Sequence, residues 1–493
     1  MAHFERKKEE ENANFFGGRA KKLFVGMLNL GMVRRNGLPW VRSMAGLATE
    51  VKKSSDWGTD TWWDLLEQPA AQGEGFFPKG WKVSGVTAGL KASGRRDMAL
   101  FVSDQPAAGA GVFTTNKFPA APVEVSKEEL AGKGAGRVRA LLVNSGQANA
   151  CTGTQGLQDA REMVAKVKAL LRLPADARVP IMSTGVIGVP LEMDVIRGGL
   201  ASASEALGTS RKHWEDAAHS IMTTDNRPKV AHRRLDLGGK NPPISLLGLA
   251  KGAGMIHPNM ATLLGIVTTD ALISAGPLKA ALKYAVDRSF HSIDVDGDTS
   301  TNDTVVVMAN GAAGGVAIES EGSPHYEAFR EQLTDVCAEL AQKIVFDAEG
   351  ASRFVVISVK GARSTEDALR IGQTVAQSSL FKCAMWGGDA NWGRAICAVG
   401  YSGVDYLDLS KIDMSFESIH GNPRTMAGEP TQSIPLVLRG QPVHANRAPA
   451  SILCQAHKYI NVSIDLRCGD HSSQVYTCDL SPDYVKFNGA YTT

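Results

Sequence analysis

The run Lys251-Gly-Ala-Gly-Met-Ile-His-Pro-Asn-Met-Ala-Thr262 leads straight into Leu263-Leu-Gly-Ile-Val267, so a small residue and then a threonine stand at the mouth of an apolar stretch. Glycines and a proline loosen the first part, and Leu263 to Val267 reads as a buried strand. A chain cut between Ala261 and Thr262 would begin its second piece with a threonine carrying its own α-amine, a nucleophile and base in one residue. The Thr262 hydroxyl would first attack the Ala261 carbonyl, and water would hydrolyse the resulting ester. The freed amine would then deprotonate the hydroxyl for acyl transfer. An isolated Ala-Thr before a strand is ordinary, so this chemistry requires an oxyanion hole, donors for a substrate carboxylate and a pocket poor in water.

Other segments could supply those parts. In Ile181-Met-Ser-Thr184-Gly185-Val-Ile-Gly188, a hydroxyl and backbone amides at a turn can donate to a developing oxyanion, and Gly185 allows close backbone approach. Lys251 suits an amino-acid carboxylate. Phe346-Asp-Ala-Glu-Gly-Ala-Ser-Arg353 carries a carboxylate, Glu349, that on its own reads equally as an N-cap or an exposed acid. The acidic string from Asp294 to Thr304 superficially resembles a calcium loop. An EF-hand needs Gly at its sixth position and Glu at its twelfth, where this chain has Thr299 and Val305. The string is therefore expected to cap turns and order a pocket, and no metal is implied.

The elements that must position these groups alternate. Strands such as 99–102 and 140–143 interleave with helical stretches over 156–171 and 210–222, joined by Gly- and Ala-rich connections, which predicts a layered α/β enzyme. The 493 residues, 43% hydrophobic and 21% charged, describe an ordinary globular composition. A net charge of +2 is too balanced for a nucleic-acid binder, and no apolar run is long enough to span a membrane. Seven cysteines without a CxxC pair argue against a disulfide framework or zinc ribbon; Cys151, after Asn149-Ala150, is the one weighed as a nucleophile. Residues 1–75 stand apart: from Asn12 to Lys53 there are eight basic residues and one acid, the acid-poor amphipathic character of an organelle transit peptide, although Glu9-Glu-Glu11 is atypical of one. The body is read as 76–261 and 262–493, divided at the Gly-rich loop.

Together these strings resemble the ornithine acetyltransferase family (ArgJ, glutamate N-acetyltransferase), from about Gly80 to Thr493 and in order. Further matches are Ile221-Met-Thr-Thr-Asp225-Asn-Arg-Pro-Lys229, Asn144–Gly153, Asp389–Arg394 and the terminal Asn488-Gly-Ala-Tyr-Thr-Thr493. Asn226, Ala253, Ser352, Arg353, Gln147 and Ala390 depart from the family pattern. The resemblance implies a layered mixed α/β sandwich of the DmpA/ArgJ-like type, self-cleaved into α and β chains that assemble as α2β2. It implies Thr262 as nucleophile, Thr184 and Gly185 as oxyanion hole, and substrate contacts from Lys251, Thr262, Glu349, Asn488 and Thr493. Either Thr223 or Thr224 joins them, with Thr224 favoured. The implied reaction moves acetyl from N2-acetylornithine to glutamate, and some members also use acetyl-CoA as co-substrate. No bound cofactor is expected, since no P-loop or Rossmann fingerprint is present. His257-Pro258 and the Tyr-Thr-Thr ending look like plant and algal members, so the expected address is the plastid rather than the mitochondrion. The rival readings are an N-terminal-nucleophile aminopeptidase or amidase of similar fold, and an uncleaved paralogue acting through protein contacts.

Overall fold

Strands apolar on both faces need cover on both sides, and that requirement sets the layering. The computed structural model describes residues 75–257, 263–419 and 432–490. Its first sheet contains β1 (Trp81–Val86), β2 (Met98–Phe113), β3 (Val138–Gln147), β4 (Ile181–Val186), β5 (Lys229–Leu235), β6 (Ile244–Lys251), β7 (Leu264–Thr269) and β8 (Thr304–Ala309). They lie in the order β4-β3-β2-β8-β7-β6-β5, with β1 paired to β2. The β3–β4 and β7–β8 pairs are parallel and the others antiparallel.

One face of the central strands (Leu249, Ile266, Val306, Met308) packs with Trp81 and with Trp214 of the helix Arg211–Ser220. The other (Leu246, Val267, Val305, Val307) packs with the helices Ala275–Asp287 and Tyr326–Phe346. That same apolar cluster takes in Phe354, Val356 and Cys478 of a second sheet, so these two helices fill the space between the sheets. The second sheet comprises β9 (Phe354–Ala362), β10 (Asp413–Ser418), β11 (Gln432–Leu438), β12 (Gln441–Pro442), β13 (Tyr459–Asp465) and β14 (His471–Cys478), in the order β12-β11-β10-β13-β9-β14. Four helices, Thr365–Gln377, Ser379–Trp386, Trp392–Gly400 and Arg447–Ala456, cover its far face through residues such as Ile371, Phe381, Ala398 and Leu453. The result is the layered mixed α/β sandwich expected from the sequence.

The helices read over 156–171 and 210–222 form as Gly153–Leu170 and Arg211–Ser220. The strand read over 99–102 is only the start of the longer β2. Its pairing with β3 shifts register between Val102 and Ala107, and residues 108–113 then pair with β8. The polar interruption Asp104-Gln-Pro marks the change of partner rather than an end of strand. On either side of the Gly-rich loop, β6 and β7 are neighbours in one sheet. Strands β7 and β8, which follow the loop, lie between β2 and β6, which precede it.

Candidate active site

Parallel pairing of β3 with β4 sets Ser145 opposite Thr184 and Gly146 opposite Gly185. Gly185 has φ +133°, and a Cβ there would come within 2.3 Å of the Gly146 carbonyl carbon. Only glycine fits, because a side chain would meet both a disfavoured backbone conformation and fixed main-chain atoms. Across the sheet β6 ends on Lys251, whose buried ammonium donates to the Thr184 hydroxyl at 3.3 Å. Since that oxygen accepts from lysine, its own proton remains available for donation to another group.

Beneath Lys251 lies an ion network. The Asp225 carboxylate accepts from Lys229 (2.6 Å), the Gly252 amide (2.7 Å) and the Thr223 amide (2.9 Å). Lys229 also donates to Asp347 at 2.7 Å, and Asp347 takes the backbone and side-chain N–H groups of Asn226 at 2.9 and 3.1 Å. Asn226, a departure from the family string, is thus an integral tie. Burial alone would raise the Asp225 carboxyl, but the charges of Lys229 and Lys251 hold it well below the usual carboxylate range. Lys229 is fully buried, yet Asp225 and Asp347 keep its pKa above the ordinary lysine value. Lys251 has no acid in contact among the described residues, and burial lowers its pKa against the pull of Asp225.

The acidic string grips both sides of residues 258–262. Upstream, Asp296 accepts the amides of Met255 (2.7 Å) and Ile256 (2.9 Å), and Asp294 meets the His257 ring at 2.8 Å. Downstream, Asp303 accepts the Leu263 amide at 3.1 Å. Asp303 is completely buried; its second oxygen has no hydrogen-bond partner among the described residues, and burial pushes its pKa well above the usual carboxylate range. The string does more than order turns: it anchors the chain at Met255–His257 and at Leu263, on either side of residues 258–262.

Glu349 approaches from the far side. Its amide donates to the Ala253 carbonyl at 2.9 Å, and its carboxylate accepts from the Asn488 side chain at 2.9 Å. A Cβ on Gly254 would fall within 2.3 Å of that carboxylate, so the glycine lets the loop lie against it. Thr184, Gly185, Lys251, Glu349 and Asn488 therefore converge around one loop, with Thr223 and Thr224 half-buried beside the Asp225 network. Ala261, Thr262 and Thr493 lie outside the described residues, as does the extension before Gly75. Sequence reasoning passed over Asp225, Lys229 and Asp347 as site members; the four-residue spacing of Asp225 and Lys229 was the available signal. A buried cation, hydroxyl and amide donors and a carboxylate suit a zwitterionic amino acid and a developing oxyanion.

The ArgJ family profile matches residues 82–493. The arginine biosynthesis bifunctional protein ArgJ, mitochondrial, of Schizosaccharomyces pombe is 42% identical over 429 residues, covering 85% of this chain and 93% of the relative. The protein of the same name from Candida albicans is 44% identical over 427 residues, covering 85% and 94%. Among solved structures, the argJ bifunctional protein of Bacillus halodurans is 34% identical and covers 46% of this chain and 98% of its own, with a TM-score of 0.41. The two curated relatives are fungal and named mitochondrial, which overturns the plastid address expected from His257-Pro258 and the Tyr-Thr-Thr ending. A basic, acid-poor leader does not by itself separate the two organelles. By the profile match and by identity across most of its length, the chain belongs to the ArgJ family.

Proposed function

We propose that this chain is a self-processing glutamate N-acetyltransferase that carries acetyl from N2-acetylornithine to glutamate on Thr262. The observation that supports the reading best is the buried Lys251 ammonium, with no contact acid among the described residues, beside the Thr184 hydroxyl. Such a cation is poised for a substrate carboxylate. Thr184 and Gly185 stabilise the oxyanion, first in the cut after Ala261 and then in transfer. Lys251 holds the α-carboxylate, Glu349 with Asn488 holds the ornithine side-chain ammonium, and Thr223 or Thr224 with Thr493 completes the contacts. The Thr262 hydroxyl attacks the acetyl carbonyl and its proton passes to the Thr262 amine. Ornithine leaves with that proton on nitrogen. The glutamate amine then attacks the acetyl ester, its proton passing by way of the Thr262 amine to the threonine oxygen. Acetyl-CoA is proposed as an alternative acetyl donor rather than a bound cofactor, in line with the relatives' description as bifunctional. A mitochondrial presequence within residues 1–75 and an α2β2 assembly of the cut chains complete the proposal.

Intact mass of wild type and Thr262→Ala, with and without acetylornithine, tests it. Wild type alone should split after Ala261, and its second fragment should gain one acetyl. Acetyl transfer at the normal rate by Thr262→Ala would refute the mechanism. Product formation indifferent to glutamate would replace it with the aminopeptidase or amidase reading.

A further inference from the structure

Beside the candidate site stands a cationic loop that the reading so far leaves unused. The buried Asp97 carboxylate accepts the main-chain amides of Ala88 (2.6 Å), Gly89 (3.0 Å), Leu90 (2.7 Å) and Lys91 (3.2 Å), which consumes its charge and fixes the loop. The Asp97 carbonyl accepts the amide of Ser145 at 2.8 Å, and Ser145 pairs with Thr184, so the loop is moored next to the proposed oxyanion hole. From this mooring the Lys91 ammonium donates to the carbonyls of Arg96 (2.6 Å) and Met222 (2.7 Å). Arg95 donates to the Thr223 carbonyl at 3.1 Å. Arg95 therefore hangs on the first of the threonine pair, and Lys91 on Met222, the residue just before it. Neither has an acid in contact among the described residues, although Arg96 next to them is paired with Asp216. Burial, the Arg95 charge and the more distant Lys251 charge together outweigh the nearby acids and bring Lys91 down to about 8.

We infer that Lys91 and Arg95 form an anion subsite that receives the side-chain carboxylate of a dicarboxylic amino-acid acceptor. The inference rests on the proposed function. The donor's side chain ends in an ammonium and the acceptor's in a carboxylate, so one pocket must offer an acid and a cation to alternate guests. Glu349 is the acid, and this loop is the cation.

Steady-state transfer from acetylornithine to glutamate, glutamine or norvaline tests the assignment, with Arg95→Gln, Lys91→Gln and Lys91→Arg. Either glutamine variant should raise KM for glutamate about tenfold or more, the worth of a charge-assisted contact. The uncharged acceptors should change by less than about threefold on the same scale, and Lys91→Arg should restore part of the preference. Equal losses for all three acceptors would overturn it. So would a rise confined to the KM for acetyl-CoA, which would assign the cations to phosphate. Arg95 is exposed, so its variant keeps the test open if Lys91→Gln fails to fold. Wild type that never acquires acetyl from acetylornithine removes the proposed function itself, a separate result from lost acceptor preference.

Discussion

An ammonium buried without a contact acid is costly unless a ligand arrives to share its charge. Among the described residues Lys251 is in that position, and burial has already lowered its pKa. The KM for acetylornithine should therefore climb on the alkaline side, starting below the pH at which an ordinary lysine titrates. Lys251→Met should remove that pH dependence and raise KM about tenfold to a hundredfold, as expected for a lost hydrogen bond to a charged group. Lys229 predicts the reverse emphasis. Lys229→Met would leave Asp225 and Asp347 buried and unpaired, a loss of about 3–5 kcal/mol read as a fall in the urea midpoint. Asp303, driven toward its neutral form, should tolerate asparagine. Asp303→Asn should cut within about threefold of the wild-type rate by gel densitometry, since it keeps an acceptor for the Leu263 amide. Asp303→Leu should cut far more slowly. The members legible in the sequence, Thr184, Gly185, Lys251 and Glu349, each carry their chemistry within one short string. Lys229 and Asp347 are far apart in the chain and become partners only through the fold, and the role of Lys91 depends on the Met222 carbonyl, from a distant turn.

Elements hold the loop before the cut as much as residues do. Asp296 ties that loop to the C-terminal helix Pro482–Ala490 through the Tyr484 hydroxyl at 3.1 Å, while burial lifts its pKa from 3.8 to about 6. The folded chain thus holds this proton more tightly than the unfolded one. Its stabilising effect is fully present below pH 3.8 and is lost as the pH rises through about 6. Two pKa units bound the effect at about 3 kcal/mol. The stability of Asp296→Asn relative to wild type should therefore improve between pH 5 and 7.5, and thermal melts at both values check it. A constant difference would mean that this carboxyl does not titrate there. At this scale the sequence was a good guide where amphipathic periodicity was strong, as in Gly153–Leu170, and a poor one along β2, where a polar break hid a change of partner. The string Asp389–Arg394 proves architectural: Asn391 caps the helix Trp392–Gly400, its side chain accepting the Arg394 amide.

For the whole molecule, composition and alternation were enough to foresee the layers, because every strand face needs cover. The organelle was not legible, since basic leaders of plastid and mitochondrial proteins share one physical character. The strand order carries a further expectation. The proposed cut after Ala261 would leave β7 and β8 of the second fragment laddered between β2 and β6 of the first. The fragments should co-elute under native conditions and part only in denaturant, as size exclusion with and without urea would report. The same interleaving would make such a cut a one-way change in the order of the folding reaction. Before it, the connecting loop holds the two halves at a high effective concentration and the chain folds as one molecule. Afterwards each half must find the other by diffusion. Refolding of Thr262→Ala should then be independent of protein concentration, while refolding of the processed enzyme slows on dilution; the working enzyme would retain a shape that its uncut precursor reaches far more readily.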